Sequence, residues 1–232
     1  MDKLRINRLH FTDAFWSIVL QQSAFRIHNV VKGLQDQHEA IENGRLQADV
    51  NTGSIGLCTS VCIASAAAYF RPRVVAEVGT FIGRSAFSLL SGAESAGYEL
   101  PVIHTCDFSN DISLTFSNAD RIVRYPRQSS TQMFTELVNE GLSPDFYFID
   151  GRLSNPDADL LRTLRAGQAV FLLDDFQGTE KGVANVMFLQ QVFPENFLVA
   201  YPYVGTELTG MGIVDQPLVA AMIPVNRVIF GE

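Results

Sequence analysis

Positive charge is scarce in this chain. Its 232 residues hold 17 Lys and Arg against 25 Asp and Glu, and no basic run exceeds two residues. A nucleic-acid binder needs a basic face to neutralise phosphates, so that class of partner is excluded as the leading expectation. Long apolar runs are missing too. Nothing approaches the roughly 18 consecutive apolar residues of a membrane helix, and "AFWSIVL" at 14–20 is short and lacks a small-residue cleavage site. No membrane partner, no signal peptide and a cytoplasmic location are expected. There are three cysteines, Cys58, Cys62 and Cys106, an odd number in mostly apolar surroundings. Buried free thiols are predicted rather than disulfides. Cys58 and Cys62 have no second ligand pair, which argues against zinc. Repeats and low-complexity segments are absent as well.

The apolar content of 47% suits one large core. Residues 1–56 read as an N-terminal helical appendage, a lid or a dimer arm, with Phe15, Ile18, Val19, Gln22 and Phe25 at helical spacing and Thr12 or Asp13 as N-cap. A second polar helix is predicted over about 34–43. From 57 to 232 helices and strands alternate. Helices are predicted at 57–70, 83–97, 129–141 and 179–193, with another between 155 and 167 capped by Asn155 and closed by Gly167. Strand-length apolar runs stand at 74–78, 102–106, 145–149 and 169–173, followed by strand-like 197–204 and 210–215. Near-continuous apolar strands between helices indicate an α/β fold. The expectation is a Rossmann-like, seven-stranded, mostly parallel sheet with helices on both faces.

Open sheets of this kind bind ligands at the carboxyl ends of their strands. Just after the first strand comes "AEVGTFIGRS" (76–85), with Gly79, Thr80 and Gly83; after the second, Asp107; after the next two, Asp150 and then Asp174 with Asp175. Four acids and a glycine turn therefore fall on one edge. The turn itself is open to several readings: a dinucleotide, a nucleoside triphosphate, S-adenosylmethionine, or no ligand at all. A P-loop needs a lysine that is absent, and the dinucleotide fingerprint needs a third glycine. A pyrophosphate also gains little beside Glu77, whereas an ammonium and a sulfonium match an acid at a strand end.

The pattern "VVAEVGTFIGRSAFSL" resembles motif I of the class I S-adenosylmethionine-dependent methyltransferases, in the form common among small-molecule O-methyltransferases. "PDFYFIDGRLSNPDADLLRTLRAGQAVFLLDDFQGTEKGVANVMFL" resembles the macrocin O-methyltransferase and cephalosporin hydroxylase-like group and, more distantly, catechol- and caffeoyl-CoA-type enzymes. The resemblance covers roughly 57–215. It implies that Glu77, Gly79, Thr80, Gly83 and Ser85 hold the methionine portion of S-adenosylmethionine, with Asp150 at its edge. It implies that Asp107 accepts the ribose hydroxyls, that Phe108 covers the adenine, and that Ser129 or Ser130 meets the adenine edge.

Asp150, Asp174 and Asp175 are hard oxygen donors with no Cys or His nearby, a set suited to Mg²⁺ or Ca²⁺. Related metal-dependent enzymes imply a divalent ion at these positions, lowering the pKa of the substrate's hydroxyl and orienting it. One departure stands out: no histidine lies within 150–180, and Arg152 follows the "DG" pair. Arginine cannot serve as a base, although it suits a substrate carboxylate or phosphate. Asp150, Asp175 and Lys181 are the candidate catalytic residues, with Lys181 the nearest alternative base. The leading expectation is metal-assisted O-methylation of a small hydroxylated molecule; a homodimer is one of the two roles left open for the N-terminal arm. The alternatives are a metal-independent methyltransferase acting on N, C or O, and a non-catalytic cofactor-binding relative. Trp16, Tyr201 and Tyr203 are expected in the substrate pocket's walls.

Overall fold

A computed structural model describes residues 4–7, 11–50, 53–176, 181–194, 196–201 and 218–231. The predicted strand at 210–215, Tyr203 and the 177–180 stretch lie outside the described residues.

The central sheet has seven strands: β2 (Val74–Val78), β3 (Val102–Asp107), β4 (Ile122–Pro126), β5 (Phe146–Ile149), β6 (Val170–Leu173), β7 (Phe197–Ala200) and β8 (Ala220–Pro224). Their order is β4-β3-β2-β5-β6-β8-β7, and only β8 runs antiparallel to its neighbours. A separate parallel pair joins β1 (Leu4–Asn7) to β9 (Val228–Gly231). The helices are α1 (Phe11–Asp36), α2 (His38–Asn43), α3 (Leu57–Phe70), α4 (Arg84–Ala96), α5 (Ser130–Asn139), α6 (Asp157–Thr163) and α7 (Gly182–Val192). Among the described residues, no helix is long and apolar enough to cross a membrane.

The strands read as unbroken apolar runs because both faces are covered. Phe146 and Phe148 of β5 point into a core shared with α1, α3 and α4, whereas Tyr147 and Ile149 point into a second core with α5, α6 and α7. Phe15, Trp16 and Val19 of α1 are fully buried in the first core. Trp16 is therefore a core residue and not a pocket wall; its indole N–H donates to the Tyr201 carbonyl at 2.5 Å. All three cysteines are buried free thiols.

Several boundaries differ from the sequence expectations. The polar helix predicted over 34–43 is divided, because α1 runs on to Asp36 and α2 begins at His38. The β7 strand stops at Ala200. The helix after Asn155 begins at Asp157, with Pro156 in the cap position. Asp157 rather than Asn155 organises that turn, accepting hydrogen bonds from the Ser154 amide and hydroxyl and from the Ser130 and Thr131 hydroxyls. Strands β4 and β8 have no counterpart in the sequence reading.

Helices α3 and α4 touch through backbone at Gly92. A Cβ placed there would lie 2.1 Å from the Ala64 carbonyl oxygen. A Cβ at Gly33 in α1 meets nothing within 4 Å. Gly92→Ala is expected to cost at least about 1–3 kcal/mol through overpacking, a fall in Tm of roughly 2–4 °C per kcal/mol for a chain of this size. Gly33→Ala is expected to gain about 0.5–1 kcal/mol from helix propensity. Thermal melts of the two variants beside the parent check both signs.

Candidate functional site

Strand order reverses between β2 and β5, whose carboxyl ends therefore open a crevice. The two ends are bonded together: the Val78 carbonyl accepts the amides of both Asp150 and Gly151 at 2.9 Å. Gly79 follows with φ +107, and a Cβ on it would sit 3.3 Å from the Asp150 Cβ. A side chain here would be strained in backbone and pressed against the second turn, so glycine is what lets the two turns meet. Gly83, at φ +77, forms the cap of α4, and a Cβ on it would press on Leu114 and Phe116.

Asp107 ends β3. Its carboxylate accepts the Phe81 amide at 2.8 Å through Oδ2 and the Ser109 amide at 2.7 Å through Oδ1. Two amides hold the group rigid and still leave each oxygen a free lone pair facing the cavity. Beneath the turn, Thr80 shares a 2.6 Å hydrogen bond with Thr105, and the Ser85 hydroxyl donates to Glu77 Oε1 at 2.5 Å. Glu77 is fully buried, and its Oε2 has no partner among the described residues.

The cavity measures about 470 Å³ and runs between the Gly79 turn and Val50, Gly53, Ser54 and Ile55, within the range of small-molecule sites. Asp107, Asp150, Asp174, Asp175 and Lys181 all face it. Phe108, 77% exposed, stands at its rim. Ser109 also lines it, and its Oγ is buried without a partner. Sequence reading passed over Ser109, since a serine two residues beyond a strand end carries no signal of its own. Tyr201 is exposed and packs edge-on against Phe176 at 5.5 Å.

Ser129 and Ser130 are engaged elsewhere. Ser129 forms a capping box with Gln132 at the start of α5, and the Ser130 hydroxyl donates to Asp157 at 2.9 Å.

The acid cluster holds its own cation. Lys181 Nζ donates to Asp150 Oδ1 at 2.8 Å, to the Asp150 carbonyl at 3.0 Å and to Asp175 Oδ2 at 2.5 Å. Burial opposes the ammonium, but its bonds to Asp150 and Asp175 outweigh that and hold its pKa above the ordinary value. Lys181 is thus a protonated donor at neutral pH and not a base. Burial raises Asp150 despite Lys181. Burial and then the neighbouring Asp150 and Asp175 charges push Asp174 up to about 7. Asp175 adopts φ +53, left-handed backbone rarely used by a residue other than glycine.

Asn185, also unforeseen, clamps this region: its amide donates to the Gly151 carbonyl at 2.9 Å and its Oδ1 accepts the Leu153 amide at 3.0 Å. Arg84 reaches from the start of α4 to Glu42 at 2.5 Å, to His38 at 3.1 Å and to the carbonyl of the cavity-lining Ile55 at 3.0 Å. Asp49 pairs with Arg127 at 2.7 Å and exchanges hydrogen bonds with Asn110.

No family model and no curated protein matches this chain. Solved structures do. An O-methyltransferase from Bacillus cereus in complex with SAH superposes with TM-score 0.54 at 13% identity, covering 80% of this chain and 89% of its own. The chain has the Rossmann-like fold of that O-methyltransferase. The SAH-bound methyltransferase PaMTH1 from Podospora anserina gives TM-score 0.51 at 14% identity, over 88% of this chain and 94% of that one. The O-methyltransferase TomG from Streptomyces achromogenes, in complex with SAM, gives 0.50 at 14% identity over 92% and 98%. At these identities the likeness is one of fold, and function is argued from the site.

Burial pushes Glu77 from 4.5 up to about 7. The fold therefore favours its neutral form, and the stability this gives is full below about pH 4.5 and lost as pH rises through about 7. The loss is on the order of 3 kcal/mol. Urea unfolding at pH 5 and pH 8 is expected to show that much more weakening in the parent than in Glu77→Gln, which does not titrate.

Proposed function

We propose that this protein transfers a methyl group from S-adenosylmethionine to a hydroxyl of a small molecule. The observation that carries the reading is the Asp107 carboxylate, held by two backbone amides over a cavity at the sheet's switch point. A carboxylate so placed accepts both hydroxyls of a ribose. The other residues fit the rest of the cofactor. Gly79 lets the methionine portion approach the main chain, with Thr80, Gly83, Ser85 and Glu77 supporting that turn from below. Phe108 supplies an apolar surface for the adenine, and the unpartnered Ser109 hydroxyl takes the polar edge first assigned to Ser129 or Ser130. Acids at the edge suit a ligand carrying an ammonium and a sulfonium.

When bound there, the cofactor supplies a methyl carbon for in-line displacement: the acceptor's C–O bond forms as the C–S bond breaks, and the electron pair leaves on sulfur. The chain's part is positioning and proton handling. Asp150, Asp174 and Asp175 present carboxylate oxygens beside the turn, where one accepts a hydrogen bond from the acceptor's hydroxyl and then its proton. Lys181 keeps Asp150 and Asp175 aimed.

A divalent ion does not fit the cluster in this arrangement. Mg²⁺ or Ca²⁺ bridging Asp150 and Asp175 would stand against the Lys181 ammonium, which lies 2.8 and 2.5 Å from one oxygen of each. Among the described residues, no group of three or more His, Cys, Asp or Glu is arranged to hold a metal. Metal-independent methyl transfer is the reading that follows. The free buried thiols suit a reducing, cytoplasmic setting. Val50, Gly53, Ser54 and Ile55 line one side of the cavity, which favours a lid over a dimer arm for the segment 1–56.

Calorimetric titration with S-adenosylmethionine tests the reading. Saturable binding is expected, weakened about tenfold or more in Asp107→Ala, since hydrogen bonds to a charged group contribute about 1.5–3 kcal/mol. Absence of heat at millimolar cofactor would sink it.

A further inference from the structure

The cation of the acid cluster is built into the chain rather than recruited. We infer that the Lys181 ammonium holds the seat of a divalent metal at the carboxyl edge of the sheet, so that the methyl acceptor is bound by carboxylates alone and needs no metal-chelating pair of hydroxyls. This deepens the methyltransferase reading above and rests on it for the role of the site, though the occupancy of the seat stands on geometry.

Three oxygens surround the nitrogen, two from Asp150 and one from Asp175. An ammonium has three N–H donors and no acceptor, so these contacts satisfy it. Divalent magnesium or calcium would approach the same carboxylates at shorter range, and there it would be repelled by the ammonium beside it. Lys181 would have to swing out, leaving its bonds, before a metal entered.

The local structure opposes that swing. Lys181 immediately precedes α7, and α7 is pressed onto the aspartate turn: a Cβ on Gly182 would lie 2.5 Å from the Asp174 carbonyl and 2.9 Å from the Phe176 amide. Only glycine permits so close an approach. One turn further, Asn185 bonds both sides of the loop that follows Asp150, at Gly151 and Leu153. The helix that delivers the lysine is therefore fastened to both strand ends that deliver the carboxylates. A lysine on a solvated helix face has no such clamp, and the side chain here is 32% exposed.

The seat also bears on what is methylated. A divalent ion selects acceptors that chelate it through two neighbouring oxygens. Carboxylates that accept a single hydrogen bond impose no such demand, so the acceptor class is an isolated hydroxyl, as on a sugar or polyol with one reacting position, rather than a catechol.

Mn²⁺ is the probe, followed through the free-ion electron paramagnetic resonance signal. The parent protein is expected to bind no Mn²⁺ at the cluster at millimolar concentration, and Lys181→Arg, which keeps the charge, to behave the same way. Lys181→Met, which empties the seat, is expected to gain at least about tenfold in Mn²⁺ affinity, as a freed set of hard oxygens should. Mn²⁺ binding by the parent that Asp175→Asn abolishes would overturn the inference, whether or not Lys181→Met folds. So would a folded Lys181→Met that binds Mn²⁺ no better than the parent. S-adenosylmethionine titration of the same samples separates the two readings. Loss of cofactor binding in the parent would defeat the methyltransferase assignment, while the Mn²⁺ results would still decide what fills the seat.

Discussion

One carbonyl, that of Val78, ties the two halves of the sheet together where ligands enter. It accepts the amides of Asp150 and Gly151 as β2 and β5 end. The β2–β5 ladder sets Val78 opposite Ile149, and this pair of bonds carries the contact one step past the strand ends. With this pair of bonds in place, Gly79 must lie against Asp150 and cannot carry a side chain. The Asp150 carboxylate is then delivered to the edge beside the turn, and β6 adds Asp174 and Asp175 next to it. The shape of the crevice and its charge follow from the same contact.

That charge is a constraint in its own right. Carboxylates brought this close raise one another's pKa unless a cation intervenes. Lys181 meets Asp150 and Asp175 but not Asp174. Burial, and then the neighbouring Asp150 and Asp175 charges, push Asp174 up to about 7, and burial raises Asp150 despite Lys181. The left-handed backbone at Asp175 is part of the same arrangement, since it lets adjacent residues turn their carboxylates to different partners.

Much of this was legible in the sequence, for physical reasons that also explain the gaps. Strands β2, β3, β5 and β6 are buried on both faces, so they read as apolar runs, and the acids after them could be placed on one edge without coordinates. Strand β4 escaped because it lies at the edge of the sheet and is mostly half-exposed, with Arg124 in its middle. Strand β8 escaped because Ala220 and Ala221 have little strand propensity, although every residue of it is buried. Asp107 and Gly79 stand at or just past a strand end, so their placement on this edge was legible from local pattern. Lys181, Asn185 and Asp157 act on partners 26 to 34 positions away, and Lys181 follows a polar stretch that gives no sign of which way the side chain turns. A cluster of three acids on an edge says that a cation is needed; whether it is an ion or a lysine is a tertiary fact.

Arg84 has a consequence of a different kind. It is the first residue of α4, directly after the glycine turn, and it grips Glu42, His38 and the carbonyl of Ile55, a residue that lines the cavity. The turn and the opposing wall therefore share one side chain. Free energies of binding at linked sites are reciprocal. If a ligand steadies the turn, it steadies the residues that Arg84 holds by the same amount, and a substitution that loosens them weakens the ligand equally. Glu42 and His38, which do not line the cavity, would then help to set how tightly a ligand is held there.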